Sequence, residues 1–130
     1  MNKRNSRRQE KLPRRVKFRF GRGYELDPSE YELRLAGKPV RLRPTPFELL
    51  HLLIRQKGRL VRRDQIASKV WGKKVSIDAH RNINETIKHV RKVLSDDIDE
   101  SRFIKTVFRK GYRFVAPVTV VNADGTRAFS

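Results

Sequence analysis

Apolar and polar residues along the chain follow a period of two, then a helical period, then a period of two again. Phe18 and Phe20 alternate with Lys17 and Arg19, and Tyr24 and Leu26 follow after Gly21-Arg22-Gly23. Tyr31, Leu33 and Leu35 are spaced by Glu32 and Arg34; Ala36-Gly37-Lys38 reads as a turn; Val40 and Leu42 alternate with Arg41 and Arg43. This alternation predicts a small antiparallel sheet with one wet face. At Thr45 the period changes. Thr45-Pro46-Phe47-Glu48 has the form of a capping box with proline at the first helical position. Phe47, Leu50, Leu53 and Ile54 supply one apolar face, and Gly58 is a stop signal.

A second helix is predicted from Arg63 to Trp71, with Ile66, Ala67, Val70 and Trp71 on one side and Gly72 at its end. A polar connector, Lys73 to Ser76, leads to Asp78, which is placed to cap a third helix. There Ile83, Ile87, Val90 and Leu94 recur at spacings of 4, 3 and 4, the mark of one buried face. Ser95-Asp96-Asp97 breaks that helix. Phe103 to Val107 and Tyr112 to Val115 then flank Phe108-Arg109-Lys110-Gly111, a β-hairpin with a basic tip. The order is sheet, helix, helix, helix, hairpin, an α+β arrangement. Residues 119–130 are weakly patterned and read as a C-terminal tail, with Asn122-Ala123-Asp124-Gly125 as a turn or a frayed end.

Composition adds charge to this picture. The 130 residues fit one domain and carry a formal net charge of +18. Half of that excess lies between Met1 and Gly23, where ten Lys and Arg face Glu10 alone. Residues 1–15 are read as a disordered basic arm, residues 16–118 as the folded domain. Such an excess calls for a polyanionic partner: nucleic acid first, an anionic membrane surface or an acidic protein after it. No apolar run approaches the roughly 18 residues that span a bilayer, and no apolar segment follows the basic N-terminus as a secretory signal requires. Cysteine is absent, which removes disulfides, thiolate catalysis and Cys-based metal sites. His51, His80 and His89 lack paired acidic ligands at metal spacing. No nucleophile elbow, phosphate-binding glycine loop or apolar carboxylate pair is present, so neither catalysis, nor a metal, nor a cofactor is expected. Asp96, Asp97, Asp99 and Glu100 read as a solvated acidic loop, Trp71 as a core residue, and Tyr112 as packed at the base of the hairpin.

The third helix carries the candidate function. Opposite its apolar stripe lie Arg81, Asn82, Asn84, Glu85, Thr86, Lys88, His89, Arg91 and Lys92. Side chains of these types bond base edges and phosphates when a helix lies in the DNA major groove. A merely solvated helix face has the same look. The hairpin that follows, with Arg109 and Lys110 at its tip, tips the balance, because a second basic element can reach an adjacent minor groove or its phosphates.

Residues from about Phe20 to Pro117 resemble the winged-helix effector domain of OmpR/PhoB-type response regulators, and most closely its ToxR/CadC-like branch. The resemblance is carried by Leu35-Ala36-Gly37-Lys38-Pro39-Val40-Arg41-Leu42, Pro46-Phe47-Glu48-Leu49-Leu50, Val61-Arg62-Arg63-Asp64-Gln65-Ile66 with Val70-Trp71, Ile87 to Leu94, and Phe103 to Phe114. It implies a four-stranded N-terminal sheet, a three-helix core and a C-terminal hairpin wing. It further implies binding to double-stranded promoter DNA at direct repeats, as DNA-dependent homodimers, and transcription regulation at the nucleoid in the cytoplasm. The loop before the recognition helix, here Gly72 to Ile77, is implied as an RNA polymerase contact. Lys88, His89 and Arg91 fall where the family contacts bases or phosphates, and Thr106 matches a phosphate contact at the wing base. Arg81, Asn84, Glu85, Lys92, Lys105, Arg109, Lys110 and Arg113 complete the expected DNA-binding set. Phe108 stands where many members carry a minor-groove arginine, and Arg62 where a Ser or Thr cap is usual. No receiver-like stretch precedes the module, so phosphorylation control within this chain is not expected. A non-catalytic RNA-associated or architectural protein is the alternative, disfavoured by the lack of aromatic residues displayed on a sheet face.

Overall fold

The computed structural model describes residues 15–72, 76–122 and 126. Strands β1 (Val16–Phe20), β2 (Tyr24–Asp27), β3 (Glu32–Leu35) and β4 (Lys38–Val40) form the predicted antiparallel meander. Three helical elements follow: α1 (Pro44–Arg55), α2, which runs as an α-helical turn Arg63–Ile66 into a π-helical segment Ala67–Trp71, and α3 (Ile77–Leu94). The hairpin is β6 (Ile104–Val107) and β7 (Gly111–Phe114), with the short β5 (Val61–Arg62) added to its β7 edge. This is the expected α+β winged helix.

One boundary is corrected. Val118–Asn122 is not a loose tail but strand β8, which pairs antiparallel with β1 from Val16↔Asn122 to Phe20↔Val118. The meander therefore becomes a five-stranded sheet, ordered β4-β3-β2-β1-β8. A run of Val, Thr, Val, Val suits a pleated surface, and Val121 is buried. Its partner lies about a hundred residues away, so no local alternation announces it. The arm read at residues 1–15 lies outside the described residues apart from Arg15, as do residues 123–125 of the expected turn.

Two helix caps also differ from the sequence reading. Helix α1 begins at Pro44, with Arg43 extended before it, so Thr45 sits inside the first turn and no capping box forms. Proline at the first position suits a site whose N–H would lack a partner anyway, and Glu48 instead accepts the hydroxyl of Tyr31. Helix α3 is capped by Ser76, whose Oγ accepts the Ala79 N–H at 3.1 Å; Asp78 lies one residue inside, where its charge favours the helix N-terminus. At α2, Arg62 offers no side-chain acceptor, but its backbone N–H donates to Gln65 Oε1 at 2.8 Å, half of a capping box.

The core is one cluster. Ile83, Ile87, Val90 and Leu94 of α3 are buried against α1, which contributes Phe47, Leu49, Leu50, Leu53 and Ile54. Each such side chain is worth about 2 kcal/mol. An exposed ion pair such as Arg15–Glu30, at 3.1 Å on the sheet, is worth about 0–1 kcal/mol, so the apolar stripe decides where α3 lies. An aromatic group ties the sheet to the wing base: Phe20 lies 5.2 Å from Phe114 and 5.8 Å from Phe103, ring centre to ring centre. Gly21, with φ +60°, turns the chain beneath Phe103, whose ring would lie 2.9 Å from any added Cβ.

Asp96 is not simply solvated. Its Oδ1 accepts the N–H groups of Arg102 (2.7 Å) and Phe103 (3.2 Å), and its Oδ2 accepts that of Ile104 (2.8 Å), so it seats the start of the wing.

Gly111 marks the closest approach of β7 to β5, and a Cβ there would overlap the Val61 carbonyl oxygen. Gly111→Ala is expected to cost about 1–3 kcal/mol by overpacking, read as a lowered melting temperature with loss of β5–β7 amide protection; an unchanged melt would refute the constraint. His51 lies among Phe18 and Phe47, and burial, with Arg55 nearby, pushes its pKa from 6.5 down to about 4. The unfolded chain therefore takes up this proton first. The stability is whole above about pH 6.5 and is lost as pH falls toward 4. The urea midpoint should fall across that window, and His51→Gln should flatten the fall; equal slopes in both proteins would count against it.

Candidate nucleic-acid interface

Helix α3 divides cleanly. On the face opposite its buried stripe, Arg81, Asn84, Glu85, Lys88, His89 and Lys92 are exposed and share one side at spacings of three and four. Lys88 and Lys92 have no ion-pair partner among the described residues, and Arg81 meets Asp78 only at 3.9 Å with both side chains exposed. An open groove beside this face is lined by Arg43, Thr45, Glu85, Thr86 and His89, which brings the start of α1 next to the helix.

Arg91 is not on that face. It is 8% exposed, and its Nη2 donates to the Ile104 carbonyl (2.9 Å) and to Thr106 Oγ1 (2.8 Å). Its Nε is buried without a hydrogen-bond partner among the described residues. The expectation that it is a free base or phosphate contact is therefore corrected: Arg91 docks the wing onto α3. The helical wheel carries the signal, since Arg91 lies four residues past Ile87 and three before Leu94, inside the apolar stripe. Thr106 accepts from Arg91, which leaves its hydroxyl proton free to be donated outward.

The wing has two faces. Ile104, Thr106, Tyr112 and Phe114 lie on the side that meets the helices, through the registers Ile104↔Phe114 and Thr106↔Tyr112. Lys105 and Arg113 are opposite each other on the other side, and Arg113 Nε donates to the Gly58 carbonyl at 2.7 Å. These two belong to the back of the wing, away from the α3 side chains, contrary to their grouping with the recognition set. At the tip, Arg109 takes a left-handed φ of 63° and its guanidinium carbon lies 5.2 Å from the ring centre of Phe108. Phe108 is 77% exposed, an apolar ring among cations. Lys110 is exposed beside it, without an ion-pair partner among the described residues.

A residue that sequence reasoning missed joins the parts. Arg63, at the start of α2, donates from Nε to His80 Nδ1 (2.8 Å), from Nη1 to the Tyr112 hydroxyl (3.0 Å), and from Nη2 to the His80 carbonyl (3.0 Å) and Asn84 Oδ1 (2.8 Å). Its backbone N–H also donates to the Lys110 carbonyl at 3.1 Å. Nothing in local sequence marks it, because every partner is distant along the chain. Among the described residues no three His, Asp or Glu side chains converge as metal ligands, and no helix is long and apolar enough to cross a membrane.

A reading helix with a docked wing defines a winged-helix module. Residues 37–114 match the family described as "Transcriptional regulatory protein, C terminal", and the chain belongs to that family. PhoB, the phosphate regulon transcriptional regulatory protein of Klebsiella pneumoniae, is 34% identical over 94 residues, covering 72% of this chain and 40% of that protein. VanR, a regulatory protein of Enterococcus faecium, is 31% identical over 70% of this chain and 39% of its own length. The chain thus spans about 40% of the length of such relatives. Among solved structures, the RstA DNA-binding domain of Klebsiella pneumoniae in complex with the RstA box superposes with a TM-score of 0.68 at 31% identity, covering 75% of this chain and 95% of that one. The DNA-binding domain of E. coli CadC gives 0.65 at 26% identity, over 82% and 97%. The OmpR/PhoB-type resemblance and the winged-helix fold are borne out.

Arg91→Ala should lower stability by about 1–3 kcal/mol, since it leaves the Ile104 carbonyl without its donor, while Lys88→Ala should leave the melting temperature unchanged. Equal, small effects from both would show that Arg91 is not a structural anchor.

Proposed function

We propose that this chain is the DNA-reading module of a transcription regulator, with α3 in the major groove and the wing tip on the flanking backbone or minor groove. The carrying observation is that the exposed face of α3 and the wing tip are cationic and largely unpaired, while three of the main sheet's four strand cations are paired, Lys17 and Arg19 with Glu25 and Arg34 with Glu32, leaving Lys38 of β4 apart. Arg81, Asn84, Glu85, Lys88, His89 and Lys92 face the groove. Thr106 donates to a phosphate, and Arg109 and Lys110 enter or line the minor groove with Phe108 against the sugars. Lys105 and Arg113 contribute only long-range field.

The RNA reading loses support from burial. Phe18, Phe20 and Tyr24, the aromatic residues of the main sheet, are in the core and offer no stacking platform. In this proposal the module binds direct repeats as DNA-dependent pairs in the cytoplasm and performs no catalysis. The loop from Gly72 to Ile77, whose residues 73–75 lie outside the described residues, contacts RNA polymerase, and Ile77 offers it an exposed apolar side chain. The basic segment 1–15 adds sequence-independent affinity by releasing counterions.

Lys88→Ala with Lys92→Ala should weaken binding to duplex DNA and make the slope of log K against log salt shallower by about 0.9 for every phosphate that is no longer neutralised, with no change in melting temperature. The measurement is a salt series of binding isotherms. If affinity and slope both survive the double substitution for every duplex tried, α3 is not the reading helix.

A further inference from the structure

We propose that Arg63 fixes Asn84 as a hydrogen-bond donor, so that this position reads a base edge made of acceptors, guanine or thymine, and rejects adenine and cytosine. The inference rests on α3 being the groove-reading helix.

Arginine has five N–H donors and no acceptor. Four of Arg63's five are engaged, by His80 Nδ1, the His80 carbonyl, the Tyr112 hydroxyl and Asn84 Oδ1. Only the oxygen of a carboxamide can accept from a guanidinium, so chemistry alone sets the orientation of the Asn84 amide. Its Oδ1 is held toward Arg63 at 2.8 Å, and its two N–H groups have no partner among the described residues. An asparagine without this restraint turns its amide and grips adenine with both ends, accepting from N6 and donating to N7. Here that turn would set N–H against N–H and strip Arg63 of one acceptor. The grip is also braced from two sides, by His80 in the first turn of α3 and by Tyr112, buried in β7. Guanine offers N7 and O6 and thymine offers O4 as acceptors for the two N–H groups; cytosine offers only its N4 donor, and adenine's N6 donor meets an amide oxygen that is already engaged and held toward Arg63, with one lone pair left. Arg63 is thus a positioning residue that makes base preference depend on the seating of the wing.

Selection of bound sites from random duplexes tests this, using the full chain, Asn84→Ala, Asn84→Asp and Arg63→Lys, with thermal melts alongside. Asn84→Ala identifies the dependent position as the one whose preference it erases, with a fall in affinity for the best site of about tenfold or less. The unsubstituted chain should hold guanine or thymine there. Asn84→Asp keeps the bond to Arg63 but turns an acceptor outward, so the position should switch toward cytosine. Arg63→Lys, unable to make the four-way grip, should admit adenine at that position and leave the others unchanged. Adenine at the dependent position in the unsubstituted chain would overturn the proposal, as would an Arg63→Lys profile identical to it. Should Arg63→Lys fail to fold, the Asn84→Asp switch decides alone, because that side chain is exposed. A chain that enriches no sequence at all refutes groove reading by α3 itself, a different result from a preserved profile with the wrong base.

Discussion

The guanidinium of Arg91 determines where the wing can be. It is a buried charge with no ion-pair partner among the described residues, held by one carbonyl and one hydroxyl of β6. Such a group is stable only while those oxygens stay in reach, since a buried cation stripped of its partners is costly. The hairpin therefore cannot slide along α3 without exposing that cost. Asp96 acts on the same strand from its beginning, by accepting three backbone N–H groups. Between them, an arginine and an aspartate fix the register of a strand that contributes little apolar surface of its own beyond Ile104.

The charge on the described part of the molecule is sorted by location. On the sheet, Arg15, Lys17, Arg19 and Arg34 each meet a glutamate. On the α3 face and wing tip, Lys88, Lys92 and Lys110 meet none among the described residues. Pairing on the sheet removes much of its outward field; the lack of it elsewhere focuses the positive potential on one side. Net charge alone carries no such direction, and only the fold supplies it.

The apolar rhythm made much of this legible. The spacing of Ile83, Ile87, Val90 and Leu94 placed α3 and, by exclusion, its exposed face; the alternation in residues 17–43 placed the meander. Capping signals fall two residues off, because Thr45 and Asp78 have the side chains of caps while the actual caps, Arg43 and Ser76, are set by extended backbone angles at the entry. Strand β8 was illegible for a deeper reason: its identity is conferred by β1, far off in the chain. Arg91 was misplaced because residue type outweighed its position on the wheel. Arg63 could not be found at all from local pattern, since its partners come from α3 and from the wing. The alternation of the wing strands did hold the information that Lys105 and Arg113 share the face away from Thr106 and Tyr112.

The pairing of Val16 with Asn122 has a mechanical meaning. Chain arriving at the first strand and chain leaving the last do so as neighbours, across a single rung of one ladder. Tension applied between those two points would load that rung first and open β8 from β1 like a zipper, rung by rung, rather than shear the sheet. The remaining meander would keep its own pairs. The module is built so that a tug from either end is absorbed at the sheet before it can reach the helix that reads.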